Sequence, residues 1–126
     1  MKTTFLSQQA KEFRSKYKIP NSISREARAY QKDLIVEEFK EFIESDADLF
    51  RVGSPPKEAC LKEIADLVYV CYQYTENQKW NLDEALNRVH ESNMSKLGED
   101  GKPIYREDGK VLKGPNYKPP DLSDLV

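Results

Sequence analysis

A chain of 126 residues is long enough for one domain with a real core and too short for two. Apolar residues make up 38% and charged residues 33%, which suits thin helical layers or a core completed between subunits. The formal charge of −2 leaves no bulk basic excess, and this argues against broad binding to nucleic acid or to an anionic membrane.

The N-terminal stretch MKTTFLSQQAKEF lacks the apolar core of a signal peptide. No apolar run approaches the ~18 to 20 residues that span a bilayer, so a cytoplasmic protein is expected. Residues 3–17 form a predicted first helix with Phe5, Phe13 and Tyr17 as its main apolar contributions. KIPNS ends it, because Pro20 disfavours helix for Ile19 and Asn-Ser favours turns. Ser22 or Ser24 can cap a second helix running to about Ala47. In that helix Leu34, Ile35, Phe39, Phe42 and Ile43 share one broad apolar arc at ~100° per residue. Glu38 projects inside the arc and Glu41 sits at its edge. An unpaired carboxylate buried there costs several kcal/mol or protonates.

RVGSPP, residues 51–56, stops the helix and places proline at a new helix start. The third helix, about 57–78, contains DLVYVCY, whose β-branched and aromatic content also permits a buried strand. Helix is favoured because KEACLKEIAD leads into the run without a break and the whole exceeds strand length. From Leu67 onward the segment is apolar almost all round, which predicts burial on several sides, a subunit interface included. Cys60 and Cys71 match no zinc or redox spacing and read as buried free thiols. NLDE resembles a capping box, with Asn81 as cap and Glu84 reaching back. The fourth helix follows to about Leu97, with Leu82, Leu86, Val89 and Met94 on its inner face. Residues 98–126 hold four of the five glycines and four of the seven prolines. This divides the chain into a helical domain, 1–97, and a tail, 98–126, packing on that domain or on a neighbouring subunit. YREDGKV reads as a small β-hairpin around Asp108-Gly109, and the ending is irregular.

The chemistry-bearing residues recur in pairs. Glu38 and Glu41 are three apart on one helix, and Glu63 and Asp66 are three apart on the next, so each pair projects from adjacent turns. Side by side, the two helices would bring four carboxylates into one pocket, where they repel unless cations neutralise them. Mg²⁺ or Mn²⁺ suits such oxygen ligands better than Zn²⁺. The plain alternative is a solvated acidic stripe, since most such residues lie at the surface. On the fourth helix Asn93 is predicted to face inward with Leu82, Leu86 and Val89, with Lys96 beside it. An amide and an ammonium there suit a phosphorylated ligand; a helix-end Asn and a snorkelling Lys are the alternatives. Arg88 lies off the apolar face, where it can reach a phosphate or stay solvated. His90 has no serine or cysteine partner and reads as packing or solvent contact. Tyr69, Tyr72 and Tyr74 read as core or interface.

Glu37-Glu38-x-x-Glu41, followed by Glu63-x-x-Asp66, resembles the EExxE…ExxD signature of MazG-like nucleotide pyrophosphohydrolases. These belong to the all-α NTP pyrophosphatase superfamily, with dimeric dUTPases and phosphoribosyl-ATP pyrophosphohydrolases as relatives. The resemblance covers residues 24–97, including Asn93-x-x-Lys96, and the tail KGPNYKPPDL is similar to endings of short bacterial and phage-encoded members. It implies an all-α, four-helix fold completed by oligomerisation, as a homodimer or a homotetramer built from dimers. A cytoplasmic location is implied, the host's cytoplasm for a phage member. The implied reaction cleaves a (d)NTP between the α and β phosphates, giving (d)NMP and pyrophosphate. By this analogy Glu38, Glu41, Glu63 and Asp66 ligate Mg²⁺, for which Mn²⁺ can substitute. Lys96 and Lys113 stabilise phosphate charge, Arg88 is a further phosphate contact, and Asn93 orients the nucleotide. Glu37, which points away from the apolar arc, supports a ligand or activates the attacking water. Phe5, Gln9, Phe13, Asn116 and Tyr117 are candidates to close over the base. Purine deoxynucleotides such as dGTP are favoured as substrates, with pyrimidine dNTPs and phosphoribosyl-ATP as alternatives. A helical nucleotide-sensing or adaptor module without catalysis is the alternative from another class.

Overall fold

Four α-helices carry the fold in the computed structural model, which describes residues 5–51, 53 and 57–126. They are α1 (Leu6–Lys16), α2 (Arg25–Asp48), α3 (Lys57–Gln78) and α4 (Leu82–Met94), with a 3-10 turn at Ser123–Leu125. The chain forms two compact units, the first ending at Trp80 and the second spanning Asn81–Val126. Among the described residues, no helix is long and apolar enough to cross a membrane.

In the first unit α3 is the central element, packing against both α1 and α2. Helix α2 starts where Ala27 N–H donates to Ser24 Oγ at 3.1 Å, so Ser24 rather than Ser22 is the cap. Helices α1 and α3 both end in a left-handed lysine, Lys18 (φ 55) and Lys79 (φ 61). In each case the next N–H folds back, from Ile19 to Arg14 O at 2.8 Å and from Trp80 to Thr75 O at 2.9 Å. This is the closure that glycine usually makes. The expected proline start of α3 falls on Pro55 and Pro56, outside the described residues.

The third element is a helix, not a strand, and within one chain its buried residues are Tyr72, Gln73, Glu76 and Asn77, while the apolar run before them is only partly covered. Val68 and Tyr69 stay exposed, and Cys60 and Cys71 are half-buried free thiols. The buried polar groups form a clamp around Arg14 of α1. Its guanidinium donates to Asn77 Oδ1 at 3.0 Å, Gln73 Oε1 at 3.3 Å, Asn21 Oδ1 at 2.8 Å and Pro20 O at 3.1 Å. Asn77 also holds both polar backbone groups of Ser22. Burial pulls the Arg14 pKa below its usual value, opposed by the charge of Glu76. On α2, Val36, Phe39 and Ile43 lie along one exposed stripe.

In the second unit the tail is tied to α4. Ser92 Oγ donates to Lys118 O at 2.7 Å, Lys118 N–H donates to Ser95 Oγ at 3.0 Å, and Asn81 N–H donates to Leu125 O at 3.0 Å. Asn81 caps α4 by accepting from Glu84 N–H at 3.1 Å. Glu84 does not reach back to complete a capping box; it pairs forward with Arg88 at 3.2 Å, one turn along the same face. The hairpin is reduced to one antiparallel bridge, Tyr105 with Val111. Gly109 (φ 89) turns the chain between them. At Gly114 an added Cβ would collide with the carbonyl oxygens of Lys96 and Leu97, so only glycine fits where its N–H meets Lys96 O at 2.8 Å.

Candidate metal centre

Two helices supply the acidic site. Glu38 and Glu41 lie one turn apart on α2, and Glu63 and Asp66 one turn apart on α3. Packing of α2 along α3 brings one carboxylate oxygen each of Glu38, Glu41 and Glu63 within 4.8 Å of one another. Asp66 adds its charge to the field at Glu38, while its carboxylate is held by Lys62 Nζ at 2.8 Å. Lys62 also lies 3.8 Å from Glu63. It is the site's own counter-cation, missed by a reading that looked only at acids, although its position four residues before Asp66 was visible.

The cluster is electrostatically strained. Glu38 Oε2 and Glu63 Oε2 are buried with no hydrogen-bond partner among the described residues. The Glu38 carboxyl is pushed up to about 7. Desolvation is the largest cause, followed by the hydrogen bond to Glu41 and the negative charges of Glu41, Asp66 and Glu63. Buried carboxylate oxygens without partners, in a group of converging acids, are what a hard divalent cation satisfies. The donor set is all oxygen, which fits Mg²⁺ or Mn²⁺ and gives Zn²⁺ neither nitrogen nor sulfur. Glu37 is exposed on α2, one turn before Glu41 and outside the apolar arc.

The remaining sequence candidates belong to the second unit. Asn93 is exposed; the residue that α4 buries is its neighbour Ser92. The inward direction expected for Asn93 therefore belongs to the hydroxyl that anchors the tail. Lys96 is half-buried, with its carbonyl engaged by Gly114. Lys113 Nζ lies 4.8 Å from the centre of the Tyr117 ring, a cation–π contact, and Asn116 is exposed. Arg88 differs most from expectation. Its guanidinium is committed to Glu84, to the Asp121 carbonyl at 3.0 Å and to both oxygens of Asp124. It staples the 3-10 turn to α4 rather than waiting for a phosphate. His90 is exposed.

Of the first-helix candidates, Phe5 is exposed. Phe13 stacks on Tyr17 at 4.6 Å and meets the edge of Tyr69 at 5.6 Å. These three rings, with Gln9, Glu12 and Lys16, line a cleft of about 310 Å³. Nothing local in the chain marks Arg14 or Gln73, whose pairing spans 59 residues.

Residues 6–93, well over half of the chain, match the family model described as PRA-PH, phosphoribosyl-ATP pyrophosphohydrolase. Among curated proteins, none gives a significant match.

Proposed function

This chain belongs to the phosphoribosyl-ATP pyrophosphohydrolase family, within the all-α NTP pyrophosphatase superfamily that includes MazG-like members, and on that premise we propose that it cleaves a nucleoside triphosphate to the monophosphate and pyrophosphate. The family consists of hydrolases acting on acid anhydrides, which removes the non-catalytic adaptor reading. It is typically dependent on a divalent metal. One observation carries the assignment to this site: carboxylate oxygens from two helices converge within 4.8 Å, two of those side chains having buried, unpartnered oxygens.

Glu38, Glu41 and Glu63, with Asp66 once Lys62 releases it, would hold the ion, Mg²⁺ in the first instance. Bound there, such an ion neutralises the triphosphate and lowers the pKa of an attacking water. Partial burial of Glu38 beside the half-buried Leu34 and Phe42 strengthens its charge interactions. Glu37 is assigned the orientation or deprotonation of the attacking water, at the rim of the site. Lys96 is assigned the neutralisation of charge on the leaving pyrophosphate, assisted by Lys113, and Asn93 the ribose. Asn116 and Tyr117 of the tail are assigned to nucleotide contacts. Arg88 acts at one remove, by holding the tail that carries these groups.

Two substrate classes fit this chemistry. The resemblance to short bacterial and phage members favours purine deoxynucleotides such as dGTP. The matched family model favours phosphoribosyl-ATP. Both present the same α–β phosphoanhydride. The exposed stripe of Val36, Phe39 and Ile43 is assigned to a subunit contact, as a homodimer or dimer of dimers, since apolar patches of this kind mark interfaces. The test is turnover of every canonical NTP and dNTP and of phosphoribosyl-ATP with Mg²⁺. Pyrophosphate and a monophosphate are expected from at least one; no turnover with any would refute the assignment.

A further inference from the structure

Two glutamines in the first unit are buried, each with one amide atom unused. Gln31 of α2 and Gln73 of α3 are each about 5% exposed. Gln31 Oε1 and Gln73 Nε2 have no hydrogen-bond partner among the described residues. The orientation of Gln73 is fixed, because Arg14 Nη1 donates to its Oε1 at 3.3 Å and a guanidinium has no acceptor to offer. Arg14 thus holds the carbonyl and leaves the amide N–H as a free donor. A buried donor or acceptor without a partner costs free energy that packing does not return.

Their placement along the helices is shared. Gln31 lies seven residues before Glu38, and Gln73 lies seven residues after Asp66. In each case that is two turns on the same face, about 10 Å along the axis. The short connection between α2 and α3 makes these packed neighbours antiparallel. Moving back along α2 and forward along α3 is therefore motion in one direction. Both glutamines lie towards the same end of the helix pair, beyond the carboxylates by about the reach of a ribose and a base. Tyr69, one turn before Gln73, meets the edge of Phe13 and offers aromatic surface beside it.

We infer that Gln31 and Gln73 are specificity-determining residues that read the base edge of the nucleotide, Gln73 as donor and Gln31 as acceptor. Every nucleobase presents an acceptor beside a donor on its pairing edge, and the order of the two separates adenine and cytosine from guanine and thymine, so the two orphan groups match a base and not a phosphate. Arg14 is the positioning residue that aims Gln73. This inference rests on the nucleotide-hydrolase reading of the carboxylate site and adds where discrimination occurs.

Gln73→Glu keeps the oxygen that Arg14 grips and replaces the free N–H with an acceptor. Gln31→Met keeps the volume and removes the acceptor. Each full-length variant is assayed for kcat/KM across the four dNTPs and four NTPs with Mg²⁺, beside its thermal midpoint. The expected result is a fall of at least about tenfold in the ratio of best to worst base, with turnover of the worst base little changed. An unchanged ratio of best to worst base, or an equal loss on all substrates, overturns the inference while leaving the hydrolase reading intact. A wild-type enzyme that turns over every base equally also overturns it. Absence of any wild-type turnover, on these nucleotides and on phosphoribosyl-ATP, refutes the hydrolase reading itself. Should Gln73→Glu fail to fold, Gln31→Met alone decides.

Discussion

Replacing Glu38 with glutamine should make the metal-free protein more stable while destroying its activity. In the folded chain the Glu38 carboxyl titrates at about 7 against an ordinary value of 4.5, chiefly because of desolvation and then the neighbouring acids. A carboxyl raised in this way binds its proton more tightly when folded than when unfolded. Between pH 4.5 and 7 the folded state therefore holds more protons, and stability falls as pH rises through that window. The gap corresponds to a ceiling of about 3 kcal/mol, which partial solvent access screens to about 1–2 kcal/mol. Glu38→Gln removes this term. At pH 8 in EDTA its unfolding free energy in urea should exceed that of wild type by about 1–2 kcal/mol, a rise of roughly 3–10 °C in Tm. Below pH 4.5 the difference should vanish. Added Mg²⁺ should stabilise wild type by mass action and leave the variant unmoved. A variant no more stable than wild type at pH 8, or a difference independent of pH, would refute the account of the site as mutually repelling carboxylates.

The same titration sets metal affinity. Mg²⁺ binding to wild type, followed by calorimetry, should strengthen as pH rises from 6 to 8, because Glu38 must lose its proton to ligate; a flat profile removes Glu38 from the ligand set. Arg14→Met should cost about 2–4 kcal/mol, since it strands the buried acceptor of Gln73, removes one of two donors to Asn77 Oδ1 and leaves Glu76 without its compensating charge; urea denaturation reads this, and a loss under 1 kcal/mol would contradict the clamp. Gly114→Ala should destabilise by about 1–3 kcal/mol, because a Cβ would meet the backbone oxygens of Lys96 and Leu97; hydrogen exchange should show the tail, residues 114–118, released from α4.

The helices were legible because their signals are local. Ser24 and Asn81 cap α2 and α4 as their side chains predict, and Pro20 separates α1 from α2. The acidic pairs were legible for the same reason, since three residues on a helix is a short and rigid spacing. What escaped was set by distance in sequence or by competition between partners. Arg14 finds Gln73 and Asn77 across 59 and 63 residues, and nothing around Arg14 marks it as buried. Glu84 had two possible partners within one turn; it pairs with Arg88, and the Asn81 N–H donates to Leu125 O instead. Asn93 and Ser92 are sequence neighbours ~100° apart on the helix, and the face that α4 buries lies on the Ser92 side. Lysines stand where a glycine would have announced the ends of α1 and α3.

The most direct test of the whole account is the identity of the phosphorus products. Wild type and Glu38→Gln are incubated with the (d)NTP panel and phosphoribosyl-ATP, with Mg²⁺ and with EDTA, and the products are resolved by ³¹P NMR. Wild type should release pyrophosphate and a monophosphate only when Mg²⁺ is present, and Glu38→Gln should release neither. Orthophosphate with a diphosphate product, turnover in EDTA, or an active Glu38→Gln would contradict it.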